Sequence, residues 1–337
     1  MTANVGEMFW TGEAPWHGRG TKVDRPLTWE EALAAGGLDW RVDEERLLAV
    51  SASEVLSPVP ARKALVRSDV PAGRPGHVLG AVHDGFVPLQ NREGIEAFDR
   101  VFGRGRPVYE TGGWLGRGEK VWLLARAGDP FEPLRGDRVD LYTLFANSHD
   151  GSVAIRVRLT TVRVVCQNTF VRSLAESREE PELRLPHTTS REAFEAKAGE
   201  LRQRWDAEAR RLTQAFLVLS KAKLRPGATG AALEKVFPFP RRPADMASAR
   251  TVAAWARRIE ETRETHGTIR QLLESGRGTS VPGVRGTLWG LFNAFTEYVD
   301  HEHVPQERLG PGWSLIGEGA SLKARAWEAV LDLVQAA

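Results

Sequence analysis

Arg156 and Arg158 sit two residues apart in the run IRVRLTTVR, the spacing a strand needs to project two guanidinium groups from one face. Planar guanidiniums donate in pairs to phosphate oxygens, so the two together suit a polyanion. Arg163 extends the basic run, and Lys120 lies on the preceding hairpin. Phe145, on the strand expected beside them, and Tyr109 offer rings on which bases can stack. The candidate nucleic-acid-binding residues are therefore Arg156, Arg158, Arg163, Phe145, Tyr109 and Lys120. From Arg104 through Arg172 eleven basic residues stand against seven acidic ones, although the net charge of the whole chain is only +2. The same arrangement also reads as a solvated sheet face whose arginines pair with those acids.

Other reactive residue types are sparser. Asp300, His301, Glu302 and His303 in DHEH carry oxygen and imidazole ligands that suit zinc or manganese, but on a helix the two histidines diverge. Adding His149 and Asp150 gives the full set from which a metal or acid-base centre could be drawn. A nucleophilic Cys166 would need exposure beside a base such as His149 or His187, whereas it ends the apolar run RVVC and is expected to be buried and inert. TGGWLGRGEK lacks the closing GK[ST] of a phosphate loop, so its glycines are assigned to turns. No catalytic residue, metal or cofactor is assigned.

The elements that must position the arginines follow from the turns. Asp150-Gly151 suits a type I′ hairpin loop, in which both residues take positive φ. That loop sets Val153 against Ser148, Ile155 against Ala146, Val157 against Leu144 and Leu159 against Tyr142 on a core face. Arg156 then faces Phe145, Arg158 faces Thr143 and Thr160 faces Leu141 on the other, with a bulge where Arg163 breaks the alternation. Upstream, the pattern predicts a helix at 28–35 capped by Thr28 with Glu31, strands at 46–55, 61–70 and 77–82, and a reversal at His83-Asp84-Gly85 into a strand over 86–89. A helix at 95–102 and a hairpin over 107–126 turning at Arg117-Gly118 follow. Beyond a proline-interrupted linker, SREEPELRLPHTTSREAF, helical periodicity predicts helices at 191–223, 244–274, 287–300 and 321–334, with RPGATGAALEKVFPFPRRP as a connection. The fold class is α+β, an antiparallel hairpin-built sheet with packed helices over residues 1–185, then a mainly helical part over 186–337 suited to self-association.

With 337 residues, 42% hydrophobic and 27% charged, the chain is ordinary for a globular protein and long enough for two cores. One cysteine excludes an internal disulfide framework. No apolar run reaches membrane-spanning length and the first residues lack the order of a signal peptide, so a cytoplasmic protein without membrane contact is expected.

The segments EMFWTGEAPWHGRGTKV, VPLQNREGIEAFD, LFANSHDGSVAIRVRLTTVRVVCQNT and GTLWGLFNAFTEYVDHEH occur here in that order. Through them the chain resembles, over nearly its whole length, the phage/plasmid-like proteins grouped as domain of unknown function 932, carried by phages, plasmids and integrated elements. That resemblance implies a mobile-element setting but no activity and no catalytic residues. Recombination proteins of such elements anneal single strands on a basic antiparallel sheet and often assemble in rings, an architecture similar in kind to the one expected here. The expected function is single-stranded DNA binding by a homo-oligomer, in recombination or strand annealing. A metal-dependent enzyme acting on nucleic acid, and an interaction protein that counters host defence, are the alternatives.

Overall fold

Apolar residues alternate with polar ones through the first half of the chain, and the computed structural model resolves that alternation into two sheets. It describes residues 5–12, 20–103, 105–106, 108–163, 168–171, 182–244, 246, 248–303 and 312–335. In chain order the strands are β1 (Val5–Thr11), β2 (Thr21–Val23), β3 (Val42–Val50), β4 (Leu56–Arg67), β5 (Val78–His83), β6 (Tyr109–Leu115), β7 (Lys120–Arg126), β8 (Val139–Ser148), β9 (Ile155–Arg163), β10 (Asn168–Val171) and β11 (Glu182–Leu185). The larger sheet runs β2-β1-β6-β7-β8-β9, and it is antiparallel except where the short β2 lies parallel to β1. Beyond β9 two strands share one edge: β10 pairs with Thr160–Arg163 and β11 with Ile155–Arg158. The smaller sheet is the antiparallel β3-β4-β5.

A cation between two rings ties the sheets together. The Arg67 guanidinium, at the end of β4, lies 4.4 Å from the Trp40 ring centre and 4.8 Å from that of Trp114 in β6. Its NH groups are used as well, since Nε and Nη2 donate to Asp69 and Nη1 donates to the Arg117 carbonyl.

The helices are α1 (Trp29–Ala35), α2 (Asn91–Phe98), α3 (Arg191–Lys221), α4 (Ala228–Val236), α5 (Ala249–Ser275), α6 (Leu288–Glu297) and α7 (Glu318–Gln335). Thr28 and Glu31 form the expected capping box on α1, and Ser190 caps α3 by accepting from Ala193 N–H. α2 and α6 each run on into a π-helical turn, at Asp99–Gly103 and Tyr298–Glu302, and a third π turn at Gly312–Ile316 leads into α7. One apolar cluster includes Phe9 and Phe145 of the large sheet, Phe98 of α2, Phe194, Trp205 and Phe216 of α3, Phe292 of α6 and Trp327 of α7. A second, smaller cluster covers the other face of the same sheet, with Met8, Trp10, Trp122, Leu124, Tyr142 and Leu144 under Leu315. The α+β class read from the sequence is the one observed.

The central hairpin differs from its expected pairing by one residue. Phe145 pairs with Val157, Ala146 with Arg156, Leu144 with Arg158 and Tyr142 with Thr160, and this register continues without a bulge to Val139 and Arg163. No type I′ loop sets it. Gly151 has φ 74°, but Asp150 is not among the positive-φ residues, and its carboxylate instead accepts from the backbone and hydroxyl of Ser152. The loop spans 149–154 and is closed by Ser148, whose Oγ accepts from Val153 N–H and donates to Val153 O. Because side chains alternate, the slip turns β8 over relative to its expected orientation. Phe145 therefore enters the main core with Val157, and the arginines lie on the opposite face.

Three further expectations are corrected. Residues 86–89 form no strand. Phe86 N–H instead closes a turn on the His83 carbonyl, and the ring stacks on His187 at 4.3 Å. The expected connection after Arg225 contains α4, which buries Ala232, Leu233 and Val236 and starts from Gly227 at φ 83°. The expected linker contains β11, in which Leu183 and Leu185 are buried and alternate with Glu182 and Arg184.

Phe145 is 1% exposed and packs against Phe98 and Phe194. Phe145→Ala is expected to cost about 3–5 kcal/mol of unfolding free energy in urea titration. A loss within about 0.5 kcal/mol, the range of a surface substitution, would place the ring outside the core.

Candidate anion-binding pocket

Pairing across β8, β9 and β11 arranges the arginine face in rows. Trp122, Ala146, Arg156 and Arg184 form one row, and Leu124, Leu144, Arg158 and Glu182 the next. The face is thus apolar in its middle and charged at its β9–β11 edge. Arg156 stands directly opposite Arg184, a like-charged pair that is unfavourable unless an anion lies near. Glu182 is the near anion. Its Oε1 lies 3.7 Å from Arg156 Nε and 3.8 Å from Arg158 Nη1.

Helix α7 walls off this edge. Ser321, Arg325 and Glu328 are spaced by four and three residues and so share one helix face, while Ala320 and Ala324 beside them are small enough to leave space. The result is a cavity of about 330 Å³ lined by Arg156, Arg158, Arg184, Arg325, Glu182 and Glu328, with Ser321, Ile316 and the two alanines completing it. Arg184 and Arg325 are exposed and Arg156 is half-buried. Arg158 is buried and donates through Nη2 to the Leu315 carbonyl at 3.0 Å, which holds the third π turn over the sheet. Behind this wall Lys323, wholly buried, donates to Asp300 Oδ1 at 2.7 Å. Burial pushes the Lys323 ammonium below its ordinary range. Asp300 opposes that shift, and the charge of Arg158 adds to it.

The residues singled out in the sequence fall in different places. Arg156 and Arg158 come together in the pocket. Phe145 lies on the far side of the sheet, and Tyr109 is fully buried, donating to Asp99 Oδ1 at 2.9 Å, with burial raising the phenol well above its ordinary pKa. Neither ring is accessible to a base. Lys120 pairs with Ser148 at the start of β7, half-buried, and does not line the pocket. Arg163 occupies a strand position opposite Val139 and Asn168, but its side chain lies outside the described residues, as does all of Cys166.

The acid-base set is dispersed among structural roles. Asp300 pairs with Lys323, and His303 stacks on Trp313 with its Nδ1 3.2 Å from the Tyr298 hydroxyl. His149 is fully buried and donates from Nε2 to Asn91 Oδ1, since the Asn91 amide nitrogen is committed to the Leu38 carbonyl. Asp150 caps its own loop. Among the described residues no three His, Cys, Asp or Glu side chains come together to hold a metal ion.

Glu182, Arg184, Ser321, Arg325 and Glu328 were missed in the sequence. The alternation in ELRL marks the first two as strand residues, and the four-then-three spacing on the last helix aligns the other three.

These features define an α+β protein with a basic pocket between a sheet edge and its C-terminal helix. Residues 78–327, which include β8, β9, β11 and most of α7, match the model of the domain of unknown function DUF932, and the chain belongs to that family. None of the curated proteins and none of the solved structures matches it. No helix among the described residues is long and apolar enough to cross a membrane.

Burial lowers the pKa of His149 to about 3, and the neighbouring His187 adds to the shift. Unfolded, the imidazole titrates near 6.5, so below that pH the unfolded chain binds a proton the native state refuses and stability falls with acidification. His149 is expected to remove about 2 kcal/mol between pH 7.5 and pH 5. Urea titrations at the two pH values should show this loss, and His149→Asn should flatten it while lowering stability at pH 7.5.

Proposed function

We propose that this protein is a non-enzymatic single-stranded DNA-binding protein of phages, plasmids and integrated elements, acting in the cytoplasm in recombination or strand annealing. The observation that carries the reading is the pocket in which four arginines face two glutamates. With Phe145 and Tyr109 both in the core, recognition runs through phosphate and not through base stacking, so binding is indifferent to sequence. Charge of this kind makes affinity fall with salt, because each neutralised phosphate releases counterions. Self-association is part of the proposal. Leu48, Val50, Val55 and Leu56 at the tip of the β3–β4 hairpin, and Val218 on α3, are exposed apolar side chains that supply surface for it.

Fluorescence anisotropy with a labelled single strand over a range of salt tests the reading. Replacing Arg156 and Arg184 with Ala is expected to weaken binding equally for all sequences and to lower the magnitude of the salt slope by about 1–2, each lost contact contributing about 0.7. Wild-type affinity in the folded double variant would remove the pocket from DNA binding.

A further inference from the structure

We propose that the arginine pocket is a receptor for the terminal phosphomonoester of a DNA strand, so that the protein engages strand ends in preference to strand interiors. This rests on the single-strand-binding reading above and specifies which phosphate enters.

Size is the first argument. A groove that tracks a strand spans several nucleotides, whereas a cavity of about 330 Å³ lies at the lower end of the range for small-ligand sites and holds about one phosphate-bearing unit. A strand interior must lead two flanking nucleotides out of a site of that size, and a strand end only one.

Charge is the second. An internal phosphodiester carries one negative charge, and a phosphomonoester about −1.5 to −2 near neutral pH. The lining residues set four guanidiniums against two carboxylates, an excess of two positive charges that a monoester dianion balances and a diester does not. Arg156 and Arg184, opposed across the β9–β11 pairing, gain most from an anion of that valence between them.

Donor geometry is the third. At 3.7 Å Glu182 is an ion-pair partner of Arg156 but too distant for a hydrogen bond, and Arg156 Nε is buried without an acceptor. A terminal phosphate has one more non-ester oxygen than a diester and can accept from Arg156, Arg184 and Arg325 at once. Ala320, Ser321 and Ala324 are the small side chains of α7 that leave room for such an anion against the helix.

The test uses the full chain and single strands of about 20 nucleotides bearing a 5′-phosphate, a 3′-phosphate or hydroxyls at both ends, labelled internally for anisotropy. One of the phosphorylated strands is expected to bind about tenfold tighter than the hydroxyl strand. Arg184→Ala with Arg325→Ala, both at exposed positions, should reduce that preference to less than about twofold while leaving weaker strand binding. Glu328→Gln, which removes a competing carboxylate, should raise the preference. Inorganic phosphate and a deoxynucleoside monophosphate should compete only at much higher concentration than the strand. Equal affinity for phosphorylated and hydroxyl strands would overturn end recognition and leave strand binding standing, and so would a preference that survives in the double-arginine variant. Displacement by the mononucleotide at or below the concentration of strand would make a free nucleotide the ligand and overturn the strand-end assignment. Failure to bind any oligonucleotide would overturn both readings.

Discussion

The pairing of Phe145 with Val157 decides which side chains of the large sheet can meet a ligand. Sheet side chains alternate strictly, so this one pairing sends Phe145, Val157 and Leu159 to the helical core and Arg156, Arg158 and Leu144 to the other face. The clasp between Ser148 and Val153 holds that register at the hairpin end. Every later element fits it. β11 adds Glu182 and Arg184 to the arginine face only because Leu183 and Leu185 are committed to the core, and α7 can close the pocket only because the third π turn is fastened to Arg158.

Gathering charge at this edge is costly, and the structure offsets the cost locally. Arg158, almost fully enclosed, is matched by a backbone carbonyl and a nearby carboxylate, and Lys323 behind it has Asp300. Buried ions that lose a partner cost several kcal/mol, whereas exposed pairs contribute little. The enclosed cations therefore serve as framework, and the accessible ones, Arg184 and Arg325, stay exposed to solvent at the pocket.

The fold class was legible because its signals are local. The capping box at Thr28, the Arg117-Gly118 turn and the periodicity of α3 each specify an element from neighbouring residues. The register of β8 and β9 was not, since Asp150-Gly151 satisfies both a two-residue turn and the wider loop that forms, and the choice depends on the Ser148 side chain. Half of the pocket was invisible for a related reason. Arg156 and Arg158 announce themselves by alternation within one strand, but Arg184 lies in four residues flanked by prolines, and Arg325 reaches the site from a helix more than a hundred residues away. Long-range packing brings them together, and no local pattern encodes it.

The division of one edge between two short strands has a consequence for the chain's behaviour in a crowded cell. β9 is the kind of strand that can template growth, rich in Val, Thr and Leu, yet β11 takes one half of its outer edge and β10 the other. At the opposite margin of the sheet β2 is only three residues long. Along this sheet, among the described residues, a foreign strand thus meets only short rows of unpaired amides. The same partition that presents Arg184 to the pocket caps the sheet against edge-to-edge polymerisation.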